Sequence, residues 1–173
     1  MQLTINMKII KADISHLEKI MDMYESCVSG MILNNIDQWD ATYPNIQIIK
    51  NDISNQSYYI FLFKTEIIGG INIDQIQDSS YENIKWEDKT DSFLVVHRLA
   101  VKQEYWNKGI GKKLMIYAEE KAIAENLKSI RLDTYSGNPK ALEFYRRIGY
   151  SELGTIDLKP NKNKYHCFEK LLT

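Results

Sequence analysis

Cysteine is scarce in this chain: 173 residues hold two, Cys27 and Cys167. Two such distant cysteines make no disulfide framework and lack metal-ligand spacing. The three histidines, His16, His97 and His166, also lie far apart. His166 and Cys167 are adjacent, but neighbouring side chains on a strand point to opposite faces. No metal site is expected. Neither sign of charge dominates, since 22 Lys and Arg stand against 23 Asp and Glu for a net charge of −1. That balance argues against the broad basic surface of a nucleic-acid-binding protein. No apolar run approaches the ~20 residues of a membrane helix. The start, Met1-Gln-Leu-Thr-Ile-Asn-Met-Lys8, lacks the basic region and apolar run of a secretory signal. The expected address is therefore the cytoplasm, with neither nucleic acid nor membrane as partner. Met7 offers an alternative start.

What the chain does have is an ordinary globular composition, 44% hydrophobic and 26% charged. Its length suits one domain over residues 1–173 and a sizeable core without staples. Met7–Lys11 reads as a strand. Asp13 or Ser15 then caps a helix, with Ser15-x-x-Glu18 fitting a capping box. Leu17, Ile20, Met21, Tyr24 and Val28 share its apolar face, Gly30 interrupts the run, and residues 31–36 suggest a second short helix. Gln38-Trp-Asp-Ala-Thr-Tyr-Pro44 reads as a loop whose aromatics either pin it to the core or line a pocket. Ile46–Ile53 has helical spacing. Tyr58–Phe63 and Ile67–Ile73 read as a hairpin, and the polar connection 75–91 follows.

Ser92–Val101 is apolar enough for a central strand. Ile110, Leu114, Ala118 and Ala122 make a helical stripe, and Ser129–Tyr135 is the next strand. Strand, helix and strand in that order predict a parallel pair with a right-handed crossover. Asn138, Pro139 and Gly149 punctuate one more helix at its N-cap, first position and C-terminal cap. Residues 150–158 and 164–172 close the chain as strands joined by a turn around Pro160-Asn161. The fold class is α/β, without repeats.

Between the central strand and its helix lies Val101-Lys-Gln-Glu-Tyr-Trp-Asn-Lys-Gly-Ile-Gly-Lys-Lys-Leu114. Glycine lets a ligand approach the main chain closely. A helix starting there aims unpaired N–H groups and the positive end of its dipole outward, the parts of an anion site. A Walker loop fails, because Trp106 occupies the first glycine position and Lys113 replaces the hydroxyl. A dinucleotide Gly-x-Gly-x-x-Gly fails at Leu114. A plain turn before an ordinary helix is the bland alternative.

A second motif, Asn138-x-x-Ala141-x-x-x-Tyr145-x-x-x-Gly149-Tyr150, follows downstream. Leu99-Ala-Val101 with Lys108-Gly-Ile-Gly-Lys112, and then this motif, resemble the GCN5-related N-acetyltransferase (GNAT) family. The order of elements agrees across nearly the whole chain, while the specific motifs occupy about Val95 to Tyr150. The resemblance implies a mixed sheet of about six to seven strands with about four helices, splayed between its two parallel central strands. It implies acetyl-CoA as acetyl donor, with Leu99, Ala100 and Val101 along the pantetheine arm. Trp106, Asn107, Lys108, Gly109, Ile110, Gly111 and Lys112 would cradle the pyrophosphate, and Asn138 and Tyr145 would lie against the cofactor. Trp106 departs from the Gln or Arg usual in the family.

The implied activity is direct transfer of the acetyl group to an amine in a ternary complex. Tyr145 would serve the leaving thiolate, since a phenol donates a proton or a hydrogen bond. His97 stands where many relatives carry Glu, and an imidazole can take the proton of an ammonium. It shares a strand face with Leu99 if period-two alternation holds. A backbone N–H near Leu99 would serve the oxyanion. Asp133 is a weaker base candidate, or else the partner of Arg98 or Arg131. Trp39, Tyr43 and Trp86 are expected to wall the acceptor pocket. The acceptor is a small-molecule or peptide amine, and a homodimer stays open. A ping-pong route through either cysteine is disfavoured because neither lies in the motifs. The rival reading is a non-catalytic acyl-CoA-binding or sensing domain.

Overall fold

A computed structural model describes residues 7–160 and 162–172. Asn161, and with it half of the expected Pro160-Asn161 turn, lies outside the described residues, as do residues 1–6 of the sequence start. The elements are β1 (Met7–Lys11), α1 (Leu17–Leu33), α2 (Ile46–Ser54), β2 (Tyr58–Phe63), β3 (Glu66–Asp74), β4 (Phe93–Val101), α3 (Ile110–Ala124), β5 (Ser129–Tyr135), α4 (Pro139–Arg147), β6 (Ser151–Ile156) and β7 (Tyr165–Leu171). Short 3-10 turns lie at Ile14–His16, Ser79–Asn83 and Gln103–Tyr105. Seven strands form one sheet in the order β1-β2-β3-β4-β5-β7-β6.

The sheet is mixed. β4 and β5 are parallel, in register from Phe93↔Ser129 to Val96↔Leu132, as strand-helix-strand order requires. The β1–β2, β2–β3, β5–β7 and β6–β7 pairs are antiparallel. β7 therefore enters between β5 and β6, an insertion that no local pattern announces.

Two compact units make up the chain. The first takes in the described residues up to Asn35, with Trp39–Ile73 and Arg98–Tyr117. Its buried residues include Ile20, Met23 and Cys27 of α1, Ile49 of α2, Ile60 of β2, Ile71 of β3 and Leu114 of α3. The second comprises Ile36–Gln38, Asp74–His97 and the chain from Ala118 onward. Its core gathers Tyr81, Trp86, Phe93, Val95, Tyr135, Ile156, Tyr165 and Cys167. β4 and α3 each run from one unit into the other.

Two local expectations change. The capping box belongs to Asp13, not Ser15. Asp13 Oδ1 accepts from the Ser15 N–H at 2.9 Å, and His16 Nδ1 accepts from the Asp13 N–H at 3.1 Å. Also, α1 does not stop at Gly30 but continues to Leu33, so no separate helix follows. Glycine costs a helix interior about 0.5–1 kcal/mol relative to alanine. It is needed here because a Cβ on Gly30 would stand 2.7 Å from Trp106 Cη2 and 2.8 Å from Gln103 Cγ.

Candidate active site

The first unit carries the glycine-containing loop. After β4 the chain is pinned repeatedly: the Lys102 N–H donates to Ile68 O at 2.9 Å, the Gln103 N–H to Ser26 Oγ at 3.1 Å, and Tyr105 Oη to Glu66 Oε2 at 2.8 Å. Asn107 at φ 60° and Gly109 at φ 77° then enter the left-handed region. Alternation of left-handed and right-handed residues is the backbone geometry from which anion-binding nests are built. Ile110 opens α3 directly afterwards, and the Lys113 N–H returns to Gly109 O at 3.1 Å. A Cβ placed on Gly109 would meet nothing within 4 Å, so the turn opens into free space.

The side chains of this loop are less generous than its backbone. Trp106 turns back into the unit: its Nε1 donates to Val101 O at 2.7 Å, and its ring occupies the space that Gly30 leaves. That carbonyl of Val101 is therefore engaged by the protein. Lys108 Nζ stands 5.0 Å from the Tyr105 ring centroid, and Lys113 Nζ stands 6.0 Å from that of Phe61. Lys112 is exposed.

Within β4, Arg98 sits at φ 50°. A non-glycine residue held there stores roughly 1–3 kcal/mol of strain and persists only where its surroundings over-determine it. Arg98 is held at both ends. Its carbonyl accepts from Tyr24 Oη at 2.9 Å, and Tyr24 Oη in turn accepts from Tyr58 Oη at 2.9 Å. The guanidinium takes Asp52 by two hydrogen bonds, at 2.9 and 2.7 Å. The kink breaks the two-residue alternation, so the argument that placed His97 and Leu99 on one face does not carry across it. Period two assumes an extended residue between them. Leu99 and Ala100 follow the kink, half-buried and buried respectively.

The second unit holds the titratable groups. His97 Nε2 lies 3.0 Å from Asp74 Oδ1 and 3.0 Å from Ile76 O. Asp133 accepts from Tyr81 Oη at 2.6 Å. It pairs with neither arginine, since Arg98 belongs to Asp52 and Arg131 to Glu169 at 3.1 Å. Burial raises the Asp133 carboxyl above the usual carboxylate range, against the opposing pull of the Tyr81 hydrogen bond. Tyr145 is buried on α4. Burial, seconded by the Asp133 charge, drives its phenol well above the ordinary tyrosine value, so it stays a neutral donor. Asn138 caps α4 by accepting from the Ala141 N–H at 3.1 Å, and its Nδ2 donates to Gln38 Oε1 at 2.7 Å. Both ends of that amide have protein partners.

The aromatic residues expected to wall an acceptor pocket have structural partners. In the first unit Trp39 is buried with its ring edge-on to Tyr24, 5.7 Å between centroids, and Tyr43 stands 6.5 Å from Trp39. In the second, Trp86 is buried, donates Nε1 to Tyr81 O at 3.0 Å and carries the Arg131 guanidinium 4.6 Å from its ring centroid. Trp86 also lines a cavity of about 220 Å³ with Gln77, Tyr81, Asp88, Lys89 and Arg131. Asp74 and Asp52 were missed in the sequence, where each is one acid among many polar neighbours. The only local hint for Asp74 is its place at the end of an apolar strand. Among the described residues no cluster of three metal-ligating side chains occurs, and no helix is long and apolar enough to cross a membrane.

Known proteins bear on this geometry. The family model of the acetyltransferase (GNAT) family matches residues 17–150. An uncharacterized N-acetyltransferase, YesJ of Bacillus subtilis, is 27% identical over 139 residues, 79% of this chain and 74% of its own. An S-alkylcysteine N-acetyltransferase of the same organism is 26% identical over 144 residues, 80% of this chain and 75% of its own. The solved structure of the PaiA N-acetyltransferase from Thermoplasma acidophilum in complex with coenzyme A superposes with a TM-score of 0.71. It is 19% identical, covering 96% of this chain and 99% of that one. The glycine loop at α3 and the capped α4 thus stand inside a match covering most of the chain, and this chain belongs to the acetyltransferase (GNAT) family.

Proposed function

We propose that the protein is an N-acetyltransferase that moves the acetyl group of acetyl-CoA directly onto a primary amine. The observation that carries this reading is the nest at Asn107–Gly109, opening into free space at the N-terminus of α3. Diphosphate is the anion it would hold, on backbone N–H groups from Trp106 to Lys112. The tucked Trp106 side chain then matters little, because the contacts come from the main chain. Leu99 to Val101 would lie along the pantetheine arm, and Asn138 would act by fixing α4.

Each chemical task has a resident. His97 takes a proton from the acceptor ammonium, leaving a nucleophilic amine. The amine nitrogen bonds to the thioester carbon as the carbon–sulfur bond breaks, the electron pair leaves on sulfur, and the second proton, shed by the acylated nitrogen, passes to that sulfur to give the free thiol. The Leu99 N–H, next to the Arg98 kink, meets charge developing on the carbonyl oxygen. Tyr145 donates a hydrogen bond to the departing thiolate. Its phenol is a weaker acid than an ordinary thiol near 8.5, so hydrogen bonding rather than net protonation suits it. Direct transfer is also favoured by the cysteines. Burial pushes the Cys27 thiol up to about 11 and the Cys167 thiol up to about 12, leaving little thiolate near neutral pH.

The named acceptor of the S-alkylcysteine relative supports a small amine, such as an amino-acid derivative, over a folded protein. Calorimetry with acetyl-CoA, followed by a screen of amines and short peptides for free CoA thiol release, tests the whole reading. Binding together with amine-dependent thiol release is the expected result. Binding without release by any amine would leave an acyl-CoA-binding domain, and no binding would defeat both.

A further inference from the structure

The imidazole of His97 faces two acceptors through one nitrogen. Asp74 Oδ1 and Ile76 O both lie 3.0 Å from Nε2. A carbonyl oxygen and an ionised carboxylate only accept, so a nitrogen between them must carry the hydrogen. Nδ1 has no partner among the described residues, and it keeps the lone pair. We propose that Asp74 holds His97 in the Nε2–H tautomer, which makes Nδ1 the basic atom and Asp74 a positioning residue for the acceptor's deprotonation. This rests on the reading of His97 as the base.

The arrangement is preorganised at Asp74 as well. Its Oδ1 also accepts from the Ile76 N–H at 2.8 Å, so residues 74–76 fold one carboxylate onto their own backbone while presenting a carbonyl to the ring. Gln75 Nε2 donates to Phe93 O at 3.3 Å and ties this turn to the start of β4. Both His97 and Asp74 side chains are about one-fifth exposed, at 23% and 21%, shielded but within reach of an incoming amine. When Nδ1 takes a proton, the Nε2–H bonds stay in place and the carboxylate faces the new imidazolium. Three other charged groups act on this corner. Asp133 on β5 interacts electrostatically with His97, and Asp78 and Lys159 act on Asp133 with opposite signs. Asp74 is the only one of these acids in hydrogen-bond contact with the ring.

Long-range proton–nitrogen NMR on the full chain, without substrate, reads the tautomer of His97 directly. The neutral wild-type ring should carry its proton on Nε2. In Asp74→Ala only the Ile76 carbonyl remains to hold that hydrogen, so the Nδ1–H form should become detectable. The kcat should fall by about tenfold or more while acetyl-CoA affinity is unchanged. A wild-type Nδ1–H tautomer would overturn the proposal, and so would a ring still confined to Nε2–H in Asp74→Ala. If both NMR signatures hold while His97→Ala turns over normally, the base reading fails, and with it the catalytic role of Asp74. The wild-type spectrum decides the tautomer even if the variant does not fold.

Discussion

Arg98 grips Asp52 by two hydrogen bonds, Nε to Oδ2 at 2.9 Å and Nη2 to Oδ1 at 2.7 Å, from a backbone held at φ 50° within β4. The guanidinium and carboxylate are 15% and 11% exposed. A pair this shielded gives little net stabilisation over apolar packing, but removing one partner strands the other. Asp52→Ala should therefore cost about 3 kcal/mol, measured by urea denaturation. A loss near zero would mean that the hydroxyl chain through Tyr24, not the ion pair, holds the kink.

Gly109→Val places a β-branched residue at φ 77° with nothing near its Cβ. The steric cost of a side chain in the left-handed conformation, about 1–2 kcal/mol, should push the loop off its present path and leave the core intact. Acetyl-CoA affinity should drop about tenfold or more by calorimetry, since ~1.4 kcal/mol is a factor of ten. The melting temperature should change little. Undiminished affinity would count against the nest as the diphosphate site.

Tyr145→Phe removes one oxygen from a buried ring packed on Phe168, Tyr150 and Phe144. Packing survives, so acetyl-CoA affinity should be kept. Turnover should fall on the order of 10²-fold, seen as slower thiol release at saturating substrates. Wild-type turnover in the variant would remove the phenol from the chemistry.

Asp133 has a carboxyl raised by burial. The fold thus favours the neutral form, and the stability from this residue is full below the ordinary value of 3.8 and lost as pH rises through the raised one. Asp133→Asn keeps an oxygen for Tyr81 and removes the charge. It should raise the melting temperature at pH 7, and the gain should vanish at acid pH. A gain that persists below pH 3.8 would point to packing instead.

The elements were largely legible in the sequence because their signals are local. Asn138 and Pro139 start α4, the Ile110–Ala122 stripe makes α3, and Met7–Lys11 is β1 to the residue. The glycine loop before α3 was legible for the same reason, glycines standing between an apolar strand and an amphipathic helix. What stayed hidden depends on partners distant in sequence. The fate of Asp133 is decided by Tyr81, the tautomer of His97 by Asp74 and Ile76, and the kink of Arg98 by Tyr24 and Asp52. Period two gives no guidance across Arg98, because alternation describes unstrained strands, and Gly30 misled because its neighbour in space lies 76 positions on.

That neighbour gives the unusual Trp106 a mechanical meaning. Its indole is wedged between the main chain of Val101 and the flat spot that Gly30 leaves on α1. The entrance of the glycine loop is thereby keyed into a helix that bears none of its binding groups. A single methyl on that helix, as in Gly30→Ala, would act as a crowbar on the indole and shift the loop from behind. If the loop holds diphosphate as proposed, its affinity would then depend partly on Gly30, a residue outside the loop.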